Sequence, residues 1–512
     1  MAGPHSTRTE RTDETPSAPL AWPALRRRFR EAGVLEETHC GSDVPDPDAR
    51  TISGLTDDSR DVEPGGAFVA VRGVDADGHS FIDMAVDNGA RLVVCEAVPD
   101  RARERFPGTV FARVLDTRMA LAEAAAAWYG DPADDLRLVG VTGTNGKTTV
   151  AYLVHHLLGV LGTKAGLLST IEVRTGAETT KMNLTTPGPL ALHRTLRKMV
   201  DAGCAACAME VSSHALDQKR VHGLDYEAAL FTNLSVDHLN YHGTLEAYRA
   251  AKKRLFDGLG PEATALYNAD DEAGPTMVAD TDASGVSFAL DGEADVEVSV
   301  VESRIDGLCL RIDGHERGFR LAGRFNAYNL AAAYGIGTAL SFAPNAVLDA
   351  LSEAPPVPGR FEPLRFADGT TVVVDYAHTP DALENILQAV RATMPQDATL
   401  WCVFGCGGDR DPSKRSTMGR IAEQRADRVI VTSDNPRTEE PVAILRDIRT
   451  GVRRPDAMRW IVDREEAIQA AADAAAPGDV VVIAGKGHET TQTLGTDTRP
   501  FDDREMARRY FG

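Results

Sequence analysis

A chain of 512 residues is too long for one hydrophobic core and fits about three domains. With 43% apolar and 26% charged residues it has the composition of a folded globular protein, and no apolar run is long enough to cross a bilayer. The net charge of −21 argues against a nucleic-acid binder, which needs a basic face, and leaves small, locally guided anions open as ligands.

The first 20 residues are polar and lack the apolar core of a secretory signal, which predicts a disordered leader and a cytoplasmic protein. Residues 21–135 read as a small α/β unit: a short basic helix over 24–32, then strand-like runs at 67–71 and Leu92–Cys95. Asp131-Pro-Ala-Asp-Asp135 is a polar link that places a boundary near 135. From 136 to 355 apolar strands alternate with helical patterns, the signature of a mostly parallel sheet covered by helices. Pro355, Pro356, Pro358 and Pro363 then make a stiff, extended linker. Four apolar runs, at 371–375, 400–405, 428–432 and 480–484, predict a third, Rossmann-like domain over 356–512 that lacks a dinucleotide fingerprint. The expected fold is therefore α/β throughout, in three domains.

The seven cysteines are odd in number and lie mostly within apolar runs, as reduced, partly buried thiols do. Cys204-Ala-Ala-Cys207 has redox or zinc-half-site spacing, but no second Cys/His pair follows at zinc-ribbon distance, so it reads as a core strand.

The stretch Gly143-Thr144-Asn145-Gly146-Lys147-Thr148-Thr149 follows an apolar run and opens a helix-like pattern. In that setting glycines let backbone N–H groups close around phosphates, Lys147 can reach the β/γ-phosphates, and Thr148 can ligate Mg²⁺. One position departs from the usual phosphate loop: its first glycine is replaced by Val141. Glu210 ends the apolar run 204–211 and could hold Mg²⁺, a solvated strand-end glutamate being the other reading. Asp237, His238 and His242 offer further ligands. Lys252 follows Tyr248 by four positions and precedes Leu255 and Phe256 by three and four, so it points along an apolar helical stripe. Burial there would make a neutral amine available for covalent chemistry; snorkelling to solvent is the alternative.

In order along the chain, Gly143-Thr-Asn-Gly-Lys-Thr-Thr149, Met209-Glu-Val-Ser-Ser-His214, Thr232-Asn-Leu-Ser235 with Asp237-His238, Ala250-Ala-Lys252, Asn268-Ala-Asp-Asp271, Gly323-Arg-Phe-Asn-Ala-Tyr-Asn329, Asp375-Tyr-Ala-His378 and Phe404-Gly-Cys-Gly-Gly-Asp-Arg410 resemble the ATP-dependent Mur ligases of peptidoglycan synthesis. The likeness runs from Asp57-Asp-Ser-Arg60 to Asp502-Asp503 and is nearest to the type that extends UDP-N-acetylmuramoyl-L-alanyl-D-glutamate. The resemblance implies uridine-nucleotide contacts at Ser59, Val74, Asp75 and Ala76, and muramoyl-dipeptide contacts at Thr185, Thr186, Ser212, Gln218 and Arg220. For ATP it implies the loop Gly143–Thr149 and Asn268, Asn326, Asn329 and Arg360. Lys147, Lys252, His238 and Asp375 form the implied catalytic group, with Thr148, Glu210 and His238 as ligands of two Mg²⁺ ions and Lys252 carrying a CO₂-derived carbamate. Asp434-Asn435-Pro436-Arg437, with Arg410, Gly485 and Glu489, implies diaminopimelate, whose second carboxylate a guanidinium pairs in a bidentate fork. The implied reaction activates the D-glutamate γ-carboxylate as an acyl phosphate, which the amine then attacks. The implied partners are these small molecules and other cell-wall enzymes, with no nucleic acid, for a monomer. A folylpolyglutamate synthetase-like ligase and a non-catalytic nucleotide-binding regulator are the alternatives; the first lacks the DNPR and GKGHE segments, and the second would have lost Lys147, Lys252 or Glu210.

Overall fold

The structure, a computed structural model, describes residues 19–73, 76–181 and 184–512. The leader expected over 1–20 falls outside it except for its last two residues, as do Val74 and Asp75. Among the described residues no helix is long and apolar enough to cross a membrane.

Two compact units emerge. The first holds the described residues up to Asp135, together with Pro187–Asp201 and Asp217–Leu224. Its sheet runs Leu35–Cys40, Val110–Val114, Leu92–Cys95, Ala67–Val69, Leu55–Thr56, parallel except for the antiparallel first pair. The basic helix spans Trp22–Glu31 and turns Trp22, Leu25 and Phe29 into the core, leaving Arg27 and Arg30 exposed while half-buried Arg28 ion-pairs with Glu123. Helix Pro189–Asp201, far away in sequence, packs on helix Thr117–Trp128 of the same unit.

The second unit carries two large sheets and a two-stranded one, Thr491–Leu494 with Asp497–Pro500. In the larger, the strands Ala165–Leu168, Ala206–Glu210, Arg137–Thr142, Ala228–Phe231, Thr264–Asn268 and Ser284–Ala289 lie parallel in that spatial order. Cys207 is fully buried in one of them and all seven cysteines are free thiols, as a core strand requires. Helices Lys147–Val160, Arg324–Ala339 and Pro344–Ser352 cover one face, where Val150, Leu153, Val154, Leu157 and Leu158 are buried; each such side chain contributes about 1.5–3 kcal/mol. Gly162, at φ 83°, takes the left-handed position that ends helix Lys147–Val160.

The expected alternation of strand and helix stops after Ser284. Strands Val296–Arg304, Gly307–Ile312 and His315–Phe319 follow without a helix, the last two antiparallel to their predecessors. The smaller sheet has the order Glu362–Arg365, Thr371–Asp375, Val480–Ala484, Leu400–Phe404, Arg428–Val431, Arg459–Trp460 and is parallel except at its first strand. Its four central strands are the four apolar runs of the sequence; the short edge strands, largely solvent-facing, carry no such run.

Candidate active site

Strand Arg137–Thr142 delivers the phosphate loop to the C-terminal edge of the larger sheet, where ligands of such sheets bind. Val141 is a buried strand residue, so the turn begins later, at Gly143. A Cβ on Gly143 would lie 1.9 Å from Thr232 Oγ1 and one on Gly146 2.5 Å from Asn329 Oδ1, with φ of 143° and 88°. Gly143 therefore takes the place of the missing first glycine, and Gly146 is the loop's second. The loop backbone is held from the neighbouring strand end: Asn233 O accepts from Thr144 N at 2.8 Å, Asn233 Oδ1 from Asn145 N at 2.9 Å, and Thr232 Oγ1 donates to Asn145 O at 2.6 Å. Asn145 Nδ2 donates to Asp381 Oδ2 at 2.9 Å.

Two lysines share one carbonyl. Lys147 Nζ donates to Gly143 O at 3.0 Å and Thr144 O at 2.9 Å, while Lys252 Nζ donates to Gly143 O at 2.6 Å. Lys252 is 1% exposed, against the snorkelling alternative, with its ammonium 4.3 Å from the Tyr248 ring centroid. Burial, then the charge of Lys147, hold its pKa well below the ordinary lysine range. Burial likewise lowers Lys147.

Glu210 ends strand Ala206–Glu210 beside Val141 and is buried. Its Oε1 accepts from Thr170 N at 2.7 Å and its Oε2 from Thr170 Oγ1 at 3.2 Å; that hydroxyl's proton has a second acceptor in Thr185 Oγ1 at 3.0 Å. Thr186 Oγ1 donates to Glu210 O at 2.9 Å and accepts from Ser212 N at 3.0 Å. Thr185, Thr186 and Ser212 thus gather around Glu210. Thr170 carries no motif, and nothing in the sequence marks it. His238 occupies a left-handed turn at φ 54°; partial burial and the two lysine charges push its pKa down, so its imidazole is neutral at pH 7. A nucleotide-bound Mg²⁺ keeps waters and substrate oxygens and takes only one or two protein ligands. A carboxylate, a hydroxyl and a neutral imidazole suit that, and among the described residues no three His, Cys, Asp or Glu side chains form a self-sufficient metal cage.

A cleft of about 930 Å³ opens beside the loop, lined by Asn145, Asn268, Asn329, Arg360, Asp375 and His378 among others. Asn268 Nδ2 donates to Thr232 O at 3.0 Å, Asn329 Nδ2 to Asn326 Oδ1 at 2.8 Å, and Arg360 Nη2 to Thr148 Oγ1 at 3.1 Å. Asp375 accepts from Phe361 N and Ala377 N, both at 2.7 Å, and burial raises its pKa. Both its oxygens hold backbone, where the proline-rich linker meets the smaller sheet.

A second group of loops lies at the ends of the adjacent strands Val480–Ala484, Leu400–Phe404 and Arg428–Val431. There Gly408 can carry no side chain, since a Cβ would lie 1.8 Å from Pro436 O. Arg437, at φ 53°, donates from Nη1 to Gly408 O at 2.7 Å and from its backbone N to Thr493 O at 3.1 Å. Asp434, Asn435 and Pro436 are buried, Arg410 is exposed, and Gly485 at φ 119° passes Asp434 Oδ2 at 3.2 Å from its would-be Cβ. Burial raises the Asp434 pKa.

In the first unit, Ser59 is buried and its Oγ donates to Met84 Sδ at 3.4 Å, while Ala76 O accepts from Gly73 N at 2.9 Å. Arg220 Nη2 donates to Gln218 Oε1 at 2.7 Å, and Lys219 between them, at φ 56°, ion-pairs with Asp116 at 2.6 Å.

Three family descriptions match in sequence order: the Mur ligase family catalytic domain over residues 51–129, the Mur ligase middle domain over 141–337 and the Mur ligase glutamate ligase domain over 359–487. A protein of Parabacteroides distasonis named UDP-N-acetylmuramoyl-L-alanyl-D-glutamate–2,6-diaminopimelate ligase is 44% identical over 462 residues, 90% of this chain and 94% of that one. The chain belongs to the Mur ligase family. A Mur ligase of Geobacillus kaustophilus bearing the same name is 43% identical over 468 residues, 89% and 94% of the two chains. A solved Mur ligase structure of that name superposes with a TM-score of 0.67 at 32% identity, covering 96% of this chain and 99% of its own. This Mur ligase shares its fold more distantly with a folylpolyglutamate synthase of Mycobacterium tuberculosis, at TM-score 0.57 and 21% identity over 72% of this chain and 92% of that one.

Proposed function

We propose that this Mur ligase uses ATP to join an amine of diaminopimelate to the D-glutamate γ-carboxylate of UDP-N-acetylmuramoyl-L-alanyl-D-glutamate, a step of peptidoglycan synthesis that releases ADP and phosphate. The observation that carries the reading is Arg437, whose loop, which also holds Asp434, meets those of Gly408 and Gly485 at the ends of three adjacent strands. Its guanidinium matches the second carboxylate that diaminopimelate has and lysine lacks.

In the proposed mechanism the phosphate loop, Gly143 to Thr149, wraps the triphosphate with its backbone N–H groups, and Asn268, Asn326, Asn329 and Arg360 frame the nucleotide. Thr185, Thr186, Ser212, Gln218 and Arg220 orient the muramoyl-dipeptide, Ser59 and Ala76 its uridine; Val74 and Asp75, of the same set, lie outside the described residues. A γ-carboxylate oxygen attacks the γ-phosphorus, the bond to ADP breaks, and Lys147 offsets the charge crowded between two anions. The amine then attacks the acyl carbon, the carbon–oxygen bond to phosphate breaks, and the amine's proton is lost. Thr148, Glu210 and His238 would hold the Mg²⁺ ions, two in this reading, which supply charge neutralisation at the phosphates. The burial of Lys252, which holds its pKa well below the ordinary lysine range and so favours the free amine, supports the proposal that its nitrogen attacks CO₂, loses a proton and becomes a carbamate. Asp375 stays with the group as the residue that fixes the linker to the smaller sheet. Arg410, Asp434, Asn435, Arg437, Gly485 and Glu489 receive diaminopimelate. Domain limits at 135/136 and 355/356, and a cytoplasmic monomer working beside other cell-wall enzymes, complete the reading.

ADP release with the UDP-muramoyl-dipeptide and each candidate amino acid separately tests it. Diaminopimelate should be used and lysine nearly ignored, since a site built to pair a charge rejects a substrate lacking it by about 10⁴ to 10⁵. Arg437→Ala should cut kcat/KM for diaminopimelate by at least about 10²-fold and leave that for lysine unchanged. Equal use of lysine by the wild type, or an unchanged ratio in the variant, overturns the assignment.

A further inference from the structure

Among the loops at the ends of Val480–Ala484, Leu400–Phe404 and Arg428–Val431 lies a lysine with no exposed surface, Lys486. Gly485 and Gly487 flank it at φ of 119° and 51°, and this pair of left-handed turns swings the lysine inward. An ammonium has three N–H donors, and three acceptors take them: Asn435 Oδ1 at 3.2 Å, Glu489 Oε2 at 2.9 Å and Thr491 O at 2.7 Å. Every donor being engaged inside the protein, Lys486 has none left for a substrate. What it does, it does through its acceptors.

Glu489 Oε2 also accepts from Asn435 Nδ2 at 2.7 Å. Two donors saturate that oxygen, and Oε1 is the acceptor left for a ligand. The Asn435 amide cannot flip, because its Oδ1 also accepts from Thr493 N at 3.0 Å. Asp434 Oδ1 stands 3.9 Å from Lys486 Nζ and is buried without a hydrogen-bond partner. Lys486, with Arg464, offsets the repulsion between the Asp434 and Glu489 carboxylates.

We infer that Lys486 is a positioning residue, holding Glu489 and Asn435 in the arrangement that leaves Glu489 Oε1 open for the ammonium at the far end of the incoming diamino acid. The inference rests on the diaminopimelate reading above and adds to it a determinant of selectivity that never touches the substrate.

The test compares diaminopimelate with 2-aminopimelate, the same dicarboxylate without the distal amine, on full-length wild type, Lys486→Met and Lys486→Gln. For diaminopimelate, KM should rise about 10–100-fold, the size of effect seen when a residue that orients a metal ligand is removed. The KM for ATP should stay within about twofold, and kcat/KM for 2-aminopimelate should change much less, so the preference between the two collapses. A purely structural lysine would lower both amino acids alike; that result, or an unaltered preference, overturns the inference. Should neither variant fold, wild type crystallised with diaminopimelate decides: Lys486 Nζ on Glu489 Oε2 with the ligand ammonium on Oε1 supports the inference, and a lysine turned to the ligand overturns it. Failure of the underlying reading shows separately, as a wild type that does not use diaminopimelate.

Discussion

Lys252 carries opposed demands. Its ammonium is walled in by Tyr248 and by the second cation, Lys147, with a single carbonyl, Gly143 O, to receive it. The ordinary lysine pKa is about 10.4, and the folded value lies well below it. Between the two the unfolded chain binds the extra proton, so stability rises with pH. The penalty is absent above about pH 10.4, grows as pH falls toward the folded pKa and is constant below it. In CO₂-free buffer Lys252→Met should therefore melt higher than wild type at pH 7, by up to about 2 °C per kcal/mol recovered in a chain of this size, with the gap closing toward pH 10. Differential scanning calorimetry across that range checks it, and a variant that melts lower at every pH would show the buried amine to be stabilising. Lys252→Ala should lose nearly all ADP release and regain part with a short free carboxylate; an active, unrescued variant removes the carbamate from the proposal. Tyrosine, leucine and phenylalanine at helical spacing placed the residue on an apolar stripe but left snorkelling open, and only the resemblance to the Mur ligases gave it a role in the sequence. Lys486 was not legible: its burial depends on two loops whose meeting no local pattern encodes.

Among elements, the C-terminal sheet was the easiest to read, since Val372, Val373 and Val374, or Val480, Val481 and Val482, are buried on both faces and give unbroken apolar runs. The meander after Ser284 was harder because residues such as Glu297, Ser299 and Glu302 face solvent and dilute the signal. A buried ion pair that no motif announced ties two helices to this sheet. Arg464, at the start of helix Arg464–Ala472, forks onto Asp503, at the start of Asp503–Phe511, with both contacts at 2.7 Å and neither side chain exposed. It also donates to Ser433 O at 3.2 Å and Ala484 O at 3.0 Å, the carbonyls just ahead of Asp434 and Gly485. Removing one member of such a pair strands a charge and costs about 3–5 kcal/mol, whereas replacing both with apolar residues is often nearly neutral. Urea denaturation should show that loss for Arg464→Met and recovery of most of it in Arg464→Met/Asp503→Leu. Two losses that simply add would mean the pair is uncoupled.

On the scale of the whole molecule, the order of motifs was plain in the sequence, whereas the way the chain divides among compact units was not. The first unit closes only with Pro187–Asp201 and Asp217–Leu224, segments that follow the phosphate loop in sequence. Leu192, His193, Leu196 and Met199 line the buried side of helix Pro189–Asp201. A fragment ending at Asp135 would leave bare the helix Thr117–Trp128 on which that side packs. Such a fragment should lack a cooperative thermal transition by circular dichroism and regain one when a peptide of residues 187–201 is added. A fragment that melts sharply alone would show the later segments to be dispensable. Because the chain leaves this unit and re-enters it twice, a recombination event with one crossover near 135 would pair one parent's helix with the other parent's surface. The unit can be exchanged between homologues only as three matched pieces, which ties the inheritance of the N-terminal module to that of the chain segments encoded between them.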